Sequence, residues 1–92
     1  MSRHTSRKDR WTKVSAKEYR ASFGTVRYRA GAWEGTVVYE SWNEELMPPW
    51  QAQVEYAGRF KRPRNAMIAV EDKARAICRA LKDKVKFPLE DG

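Results

Sequence analysis

From Trp33 to Glu40 the chain alternates strictly: Trp33, Gly35, Val37 and Tyr39 share one parity, and Glu34, Thr36, Val38 and Glu40 the other. A period of two is the pattern of a strand with one face buried. Thr25 to Arg29 repeats it, with Val26 and Tyr28 opposed to Thr25, Arg27 and Arg29. Ala30-Gly31-Ala32 lies between the two runs, so they are expected to form a hairpin around a small-residue turn. A third strand is predicted from Trp50 to Tyr56, with Trp50, Ala52, Val54 and Tyr56 facing in and Gln51, Gln53 and Glu55 facing out; Gly58 is expected to end it. Ser41 to Pro49 connects the second and third strands as a loop, because Pro48-Pro49 cannot donate to a ladder.

Beyond Gly58 the period changes. Pro63 suits the first turn of a helix, where its missing N–H is no loss. The predicted helix runs from Pro63 to Lys84 or Val85, with a stripe of Ala66, Val70, Ala74, Ile77, Leu81 and Val85. Met67 and Cys78 flank the stripe as packing residues. Glu71, Arg75, Arg79 and Asp83 are expected on the outer face, where they form i, i+4 pairs. Phe87-Pro88 ends the element and returns Phe87 to the core. Upstream, Ser15-Ala16-Lys17-Glu18 fits a capping box and predicts one helical turn over residues 16–21, anchored by Trp11, Val14, Tyr19 and Phe23. The expectation is an α+β fold: a three-stranded antiparallel sheet packed on one C-terminal amphipathic helix, with a short N-terminal helical turn. It places a disordered basic arm at residues 1–10, a single domain at 11–88 and a tail at 89–92.

Composition narrows the class. Ninety-two residues allow one small domain, and four Trp, four Tyr and three Phe supply its core economically. The lone Cys78 cannot make an intramolecular disulfide, and it is expected to be half-buried. The first ten residues have no apolar centre, and no apolar run approaches a membrane span. These features predict a soluble cytoplasmic protein with no membrane partner. The formal charge of +7 favours a polyanionic partner. It is unevenly spread: residues 1–23 carry a net +5, residues 24–57 a net −3, and residues 58–92 a net +5.

Candidate chemistry is sparse. His4 is the only histidine and sits in the arm, away from any candidate ligand. Glu44 and Glu45 are adjacent carboxylates, but no further acid or histidine accompanies them at a spacing that would hold a metal. There is no nucleophile–base pair and no phosphate-binding glycine loop, so no enzyme, cofactor or metal is expected.

Two stretches carry a resemblance. Gly24-Thr25-Val26-Arg27-Tyr28-Arg29-Ala30-Gly31-Ala32-Trp33 is similar to the opening of the Apetala/ethylene-response-factor DNA-binding domain, a fold shared by integrase arm-type domains. Gly58-Arg59-Phe60, followed by Ala66, Ala69 and Glu71, is similar to that family's glycine–x–phenylalanine turn into an alanine-rich helix, and Lys86-Phe87-Pro88 falls near its usual end. The resemblance spans residues 24–88. It implies that the sheet face away from the helix enters the major groove, a role that Arg27 and Arg29 match by position. The second strand departs from it, with Glu34, Thr36, Val38 and Glu40. The parity of the third strand differs from the family's by one residue, which means either a bulge there or an alignment that slips by one.

Two functions from different classes are expected. The first is a small nucleic-acid-binding protein for double-stranded DNA or, failing that, RNA. Its phosphate contacts would be Arg59, Lys61, Arg62 and Arg64 at the helix N-terminus, the arm residues Arg3, Arg7, Lys8 and Arg10, and Arg27 and Arg29. The second is a phage-type inhibitor that docks on a host nucleic-acid-processing protein. It would present Glu34, Glu40 and Glu55 on an acidic sheet face, Glu44 and Glu45 in the loop, and Trp42 and Trp50 as anchors.

Overall fold

The computed structural model describes residues 10–88. In chain order the elements are β1 (Thr12–Ser15), β2 (Glu18–Ala21), β3 (Gly24–Arg29), β4 (Ala32–Trp42), β5 (Trp50–Phe60), a helix α1 (Pro63–Leu81) and β6 (Val85–Lys86). The sheet is an antiparallel meander in the order β1-β2-β3-β4-β5, and β6 pairs with the far end of β4. The α+β class and the C-terminal helix agree with expectation. The sheet has six strands where three were expected, because the Trp11–Phe23 stretch is a hairpin and contains no helical turn. Tyr19 and Ala21 alternate with Glu18 and Arg20 and pair directly with Val26 and Gly24. The Ser15 hydroxyl accepts a bond from the Lys17 N–H at 3.2 Å, so it closes a tight turn instead of capping a helix. Val14, an expected anchor, is exposed.

One face of the sheet carries α1. Val26 and Val37 from the sheet and Ala66 and Val70 from the helix are fully shielded from water, with Trp11, Ala21, Tyr39, Ala74 and Ile77 completing the core. Complete burial of a valine side chain is worth about 1.5–3 kcal/mol. Phe87 packs onto this core and meets the edge of Phe23, as expected. Helix and sheet meet in close contact at Gly35: a Cβ there would lie 2.7 Å from Val70 Cγ2 and 3.1 Å from the Ala66 carbonyl oxygen.

The helix stops at Leu81, short of the expected Lys84, and Lys82 leaves it with a positive φ of 56°. Val85 therefore belongs to β6 and not to the helical stripe. Glu71, expected outside, is buried on the helix side, where its Oε2 accepts a 2.8 Å hydrogen bond from Trp11 Nε1 and its Oε1 lies 3.9 Å from Arg10. On the outer face Arg75 pairs with Asp72 at 3.0 Å. Cys78 is exposed and not half-buried. No helix among the described residues is long and apolar enough to cross a membrane.

The third predicted strand is longer than expected and its faces are reversed. β5 continues through Gly58 to Phe60, and the pairs Gly35↔Gly58 and Thr36↔Tyr56 leave Ala57 as an extra residue. That bulge, with Gly58 at a φ of 129°, inverts the parity of everything before it. Gln51, Gln53 and Glu55 lie on the helix side, and Trp50, Ala52, Val54 and Tyr56 lie on the open side. Val54 is 68% and Tyr56 56% exposed, so neither belongs to the core.

The Gly35 seat is testable by urea denaturation. Gly35→Ala is expected to cost about 1–3 kcal/mol through overpacking. Combined with Val70→Ala, which removes the opposing methyl, the total loss should fall short of the sum of the two single losses. Strict additivity would mean that this contact does not set the helix–sheet spacing.

Candidate nucleic-acid interface

The sheet face away from α1 is uncovered by any described residue. β2 contributes Glu18 and Arg20 to it, and β3 contributes Thr25, Arg27 and Arg29. From β4 come Glu34, Thr36, Val38, Glu40 and Trp42, opposite Arg59, Tyr56, Val54, Ala52 and Trp50 of β5. Arg20, Arg27, Arg29 and Glu34 border a shallow depression floored by Thr25, Thr36, Val38 and Val54. Arg20 is a site residue that sequence reasoning missed, because the capping-box pattern assigned residues 16–21 to a helical turn. The signal for it was the Glu18-Tyr19-Arg20-Ala21 alternation, which continues the parity of the next strand.

The carboxylates on this face are paired. Glu18 Oε2 sits 3.6 Å from Arg20 and 3.4 Å from Arg27, one acid between two guanidinium groups. Glu34 lies 3.3 Å from Arg59, and Glu40 lies 3.7 Å from Lys86. Arg29 has no ion-pair partner among the described residues. The acidic sheet face expected from Glu34, Glu40 and Glu55 is therefore not assembled. Glu55 lies on the opposite side, bonded to Tyr39 and 3.5 Å from Lys73, while Glu34 and Glu40 are flanked by cations.

One end of the face gathers cations that are far apart in sequence. The Arg59 guanidinium donates to the Arg29 and Ala30 carbonyl oxygens at 3.2 and 2.9 Å, which pins the end of β5 to the β3–β4 hairpin tip. The chain then passes directly through Lys61 and Arg62 into α1. Lys61, Arg62 and Arg64 are exposed. Arg62 is the N-cap in an extended conformation without a side-chain cap, and the first turn holds no acidic residue. Free backbone N–H groups and the positive end of the helix dipole thus adjoin Arg62 and Arg64. The geometry brings Arg27, Arg29, Arg59, Lys61, Arg62 and Arg64 to one end of the molecule. It does not bring Arg10 there, because Arg10 lies beside Glu71 on the helix side. Arg3, Arg7 and Lys8 lie outside the described residues.

At the other end of the sheet Trp42 and Trp50 are a cross-strand pair, with ring centroids 5.3 Å apart and near-perpendicular planes; Lys86 Nζ lies 4.3 Å from the Trp50 ring centre. Glu44 and Glu45 are exposed in the adjoining loop, whose tip presents Met47. Among the described residues, no three His, Cys, Asp or Glu side chains are grouped to hold a metal ion. No family model matches the chain, and neither a curated protein nor a solved structure matches it.

The reversed parity of β5 has a measurable consequence at Tyr39. Its hydroxyl donates to Glu55 Oε2 at 2.7 Å, and burial together with this carboxylate raises its pKa from 10.0 to about 12. The folded protein therefore retains a proton that the unfolded chain releases. The resulting stabilisation is complete below pH 10 and is lost as pH rises through about 12. Absorbance titration of the phenolate should show one late-titrating tyrosine that is absent from Tyr39→Phe, and the variant's stability should fall less steeply in that interval.

Proposed function

We propose that this protein binds nucleic acid, with duplex DNA as the preferred form, through the basic end of its open sheet face and the adjoining helix N-terminus. The observation that carries this reading is the convergence of Arg27 and Arg29 with Arg59, Lys61, Arg62 and Arg64, two groups far apart in sequence, on one exposed end. The carboxylates that would repel phosphate there, Glu18 and Glu34, already have guanidinium partners. Phosphate contacts fall to Arg20, Arg27, Arg29, Lys61, Arg62 and Arg64, and an oxygen near Arg62 also meets the helix N–H groups. Val54 and Tyr56, exposed beside the arginines, offer apolar surface to base edges or sugars. The domain acts by binding and carries out no chemistry. This assignment uses the sheet face implied by the resemblance and joins it to the basic turn.

A protein partner at the loop end is the second reading, favoured by the exposure of Leu46 and Met47 beside the Trp42–Trp50 pair. In that reading Glu44 and Glu45 would meet a basic surface on the partner.

Six phosphate contacts predict a slope of log K against log salt near −5 on duplex DNA, from about −0.9 per contact. Replacing Arg62 and Arg64 with Ala should weaken binding to all sequences alike and reduce the slope by about 2. Arg62→Glu with Arg64→Glu should abolish the mobility shift at low salt. A double mutant that binds like the parent removes the turn from the site. Purification with one host protein, without any retention on DNA or heparin, selects the second reading.

A further inference from the structure

The two edges of the sheet differ. β1 is four residues long, carries Lys13 and is bulged between Lys13 and Ser15. Short length, a lysine and a bulge are the devices by which sheets prevent edge pairing. β5 is eleven residues long and, among the described residues, pairs only with β4. From Trp50 to Tyr56 it has no lysine, proline or bulge. Its one charged side chain in that run, Glu55, turns to the helix side, where Tyr39 and Lys73 hold it. With no further strand beyond it among the described residues, this run's outward N–H and C=O groups have no ladder partner there, beside the exposed open-face side chains of Ala52, Val54 and Tyr56.

We propose that β5 pairs antiparallel with β5 of a second copy of this chain, about a two-fold axis at Gln53. The bulge starts after Tyr56, so Trp50–Tyr56 is the longest run that can pair with itself unbroken, and its centre is Gln53. In this register Trp50 faces Tyr56 of the other copy and Ala52 faces Val54, both on the open side. On the helix side Gln51 faces Glu55, an amide donor opposite a carboxylate. Cross-strand aromatic and small–branched pairs of this kind stabilise a ladder. A register centred on Val54 would instead set Trp50 and Gln51 against the bulge. This self-complementarity is what selects a second copy as the occupant. Above the edge, the helix flank that sends Lys73 to Glu55 continues at helical spacing as Ala69, Ala76 and Ala80, so few long side chains overhang the incoming strand. The product is one continuous sheet with both helices on one side and both open faces side by side. The pairing stands apart from the nucleic-acid reading and is tested without nucleic acid.

Sedimentation of the full chain at increasing concentration should show a species of twice 10.8 kDa. Ala52→Lys with Val54→Lys, two exposed positions on the open face, should return it to monomer with the circular dichroism of the folded chain unchanged. In a Cys78→Ser background, Gln53→Cys places two thiols opposite each other at about 5 Å between Cα atoms, within disulfide reach. Mild oxidation should then yield a covalent dimer, whereas Thr12→Cys on the β1 edge in the same background should not. A parent chain that stays monomeric at every concentration overturns the proposal. So does a Gln53→Cys protein that cross-links no faster than the Thr12→Cys control, or a dimer unaffected by the two lysines.

Discussion

The helix lies as deep on this sheet as it does because β4, like β3 at Gly24, has no side chain at Gly35. Val70 and the Ala66 carbonyl occupy the space a Cβ would fill. The Ala57–Gly58 bulge sits directly across the ladder from this point, between the Gly35 and Thr36 pairings. One short stretch of the β4–β5 pair thus sets both the depth of the helix and the face on which every earlier β5 side chain emerges. A strand without the extra residue would direct Val54 and Tyr56 at the helix and Glu55 into solvent.

The inversion works because the helix-side polar groups of β5 find partners. Glu55 accepts from Tyr39 and meets Lys73, and Gln53 donates to Ser41 Oγ at 3.2 Å. A partnered carboxylate on that side costs little compared with an unpaired one. On the other side, the apolar residues released by the bulge lie among Arg20, Arg27, Arg29 and Arg59. In the proposed function that face offers a polyanion guanidinium groups for phosphates beside apolar surface for bases or sugars. The pairing of Glu18 with two arginines, and of Glu34 with Arg59, leaves that end of the face basic despite its acids.

Alternation made the β3–β4 hairpin legible, because Val26, Val37 and Tyr39 are core and their neighbours are not. The helix was equally legible from Ala66, Val70, Ala74 and Ile77, whose spacing survives any small change in boundary. Three features were hidden. Ser15 and Glu18 stand at capping-box spacing, but a four-residue strand on each side of a two-residue turn satisfies the same hydroxyl locally and gives Glu18 two arginine partners. A bulge leaves no mark in hydrophobic alternation, and the one hint of it was that the third strand's parity differs by one residue from that of the family it resembles. Glu71 reads as a surface acid until Trp11, sixty residues away, donates its indole N–H to it. In the candidate site, Lys61, Arg62 and Arg64 were visible as a charge run. Their neighbourhood with Arg27 and Arg29 depends on tertiary pairing through Arg59, and Arg20 depends on a hairpin that the local pattern concealed.

The central claim is that the open sheet face, and not the outer face of the helix, meets nucleic acid. It is tested most directly by following backbone amide and arginine side-chain resonances during titration with a short duplex at low salt. The account predicts shifts confined to Arg20, Arg27, Arg29, Tyr56 and the Lys61–Arg64 turn, with Asp72, Arg75 and Arg79 unmoved. Shifts centred on the outer helix face, or no shifts at all with duplex in excess, would contradict it.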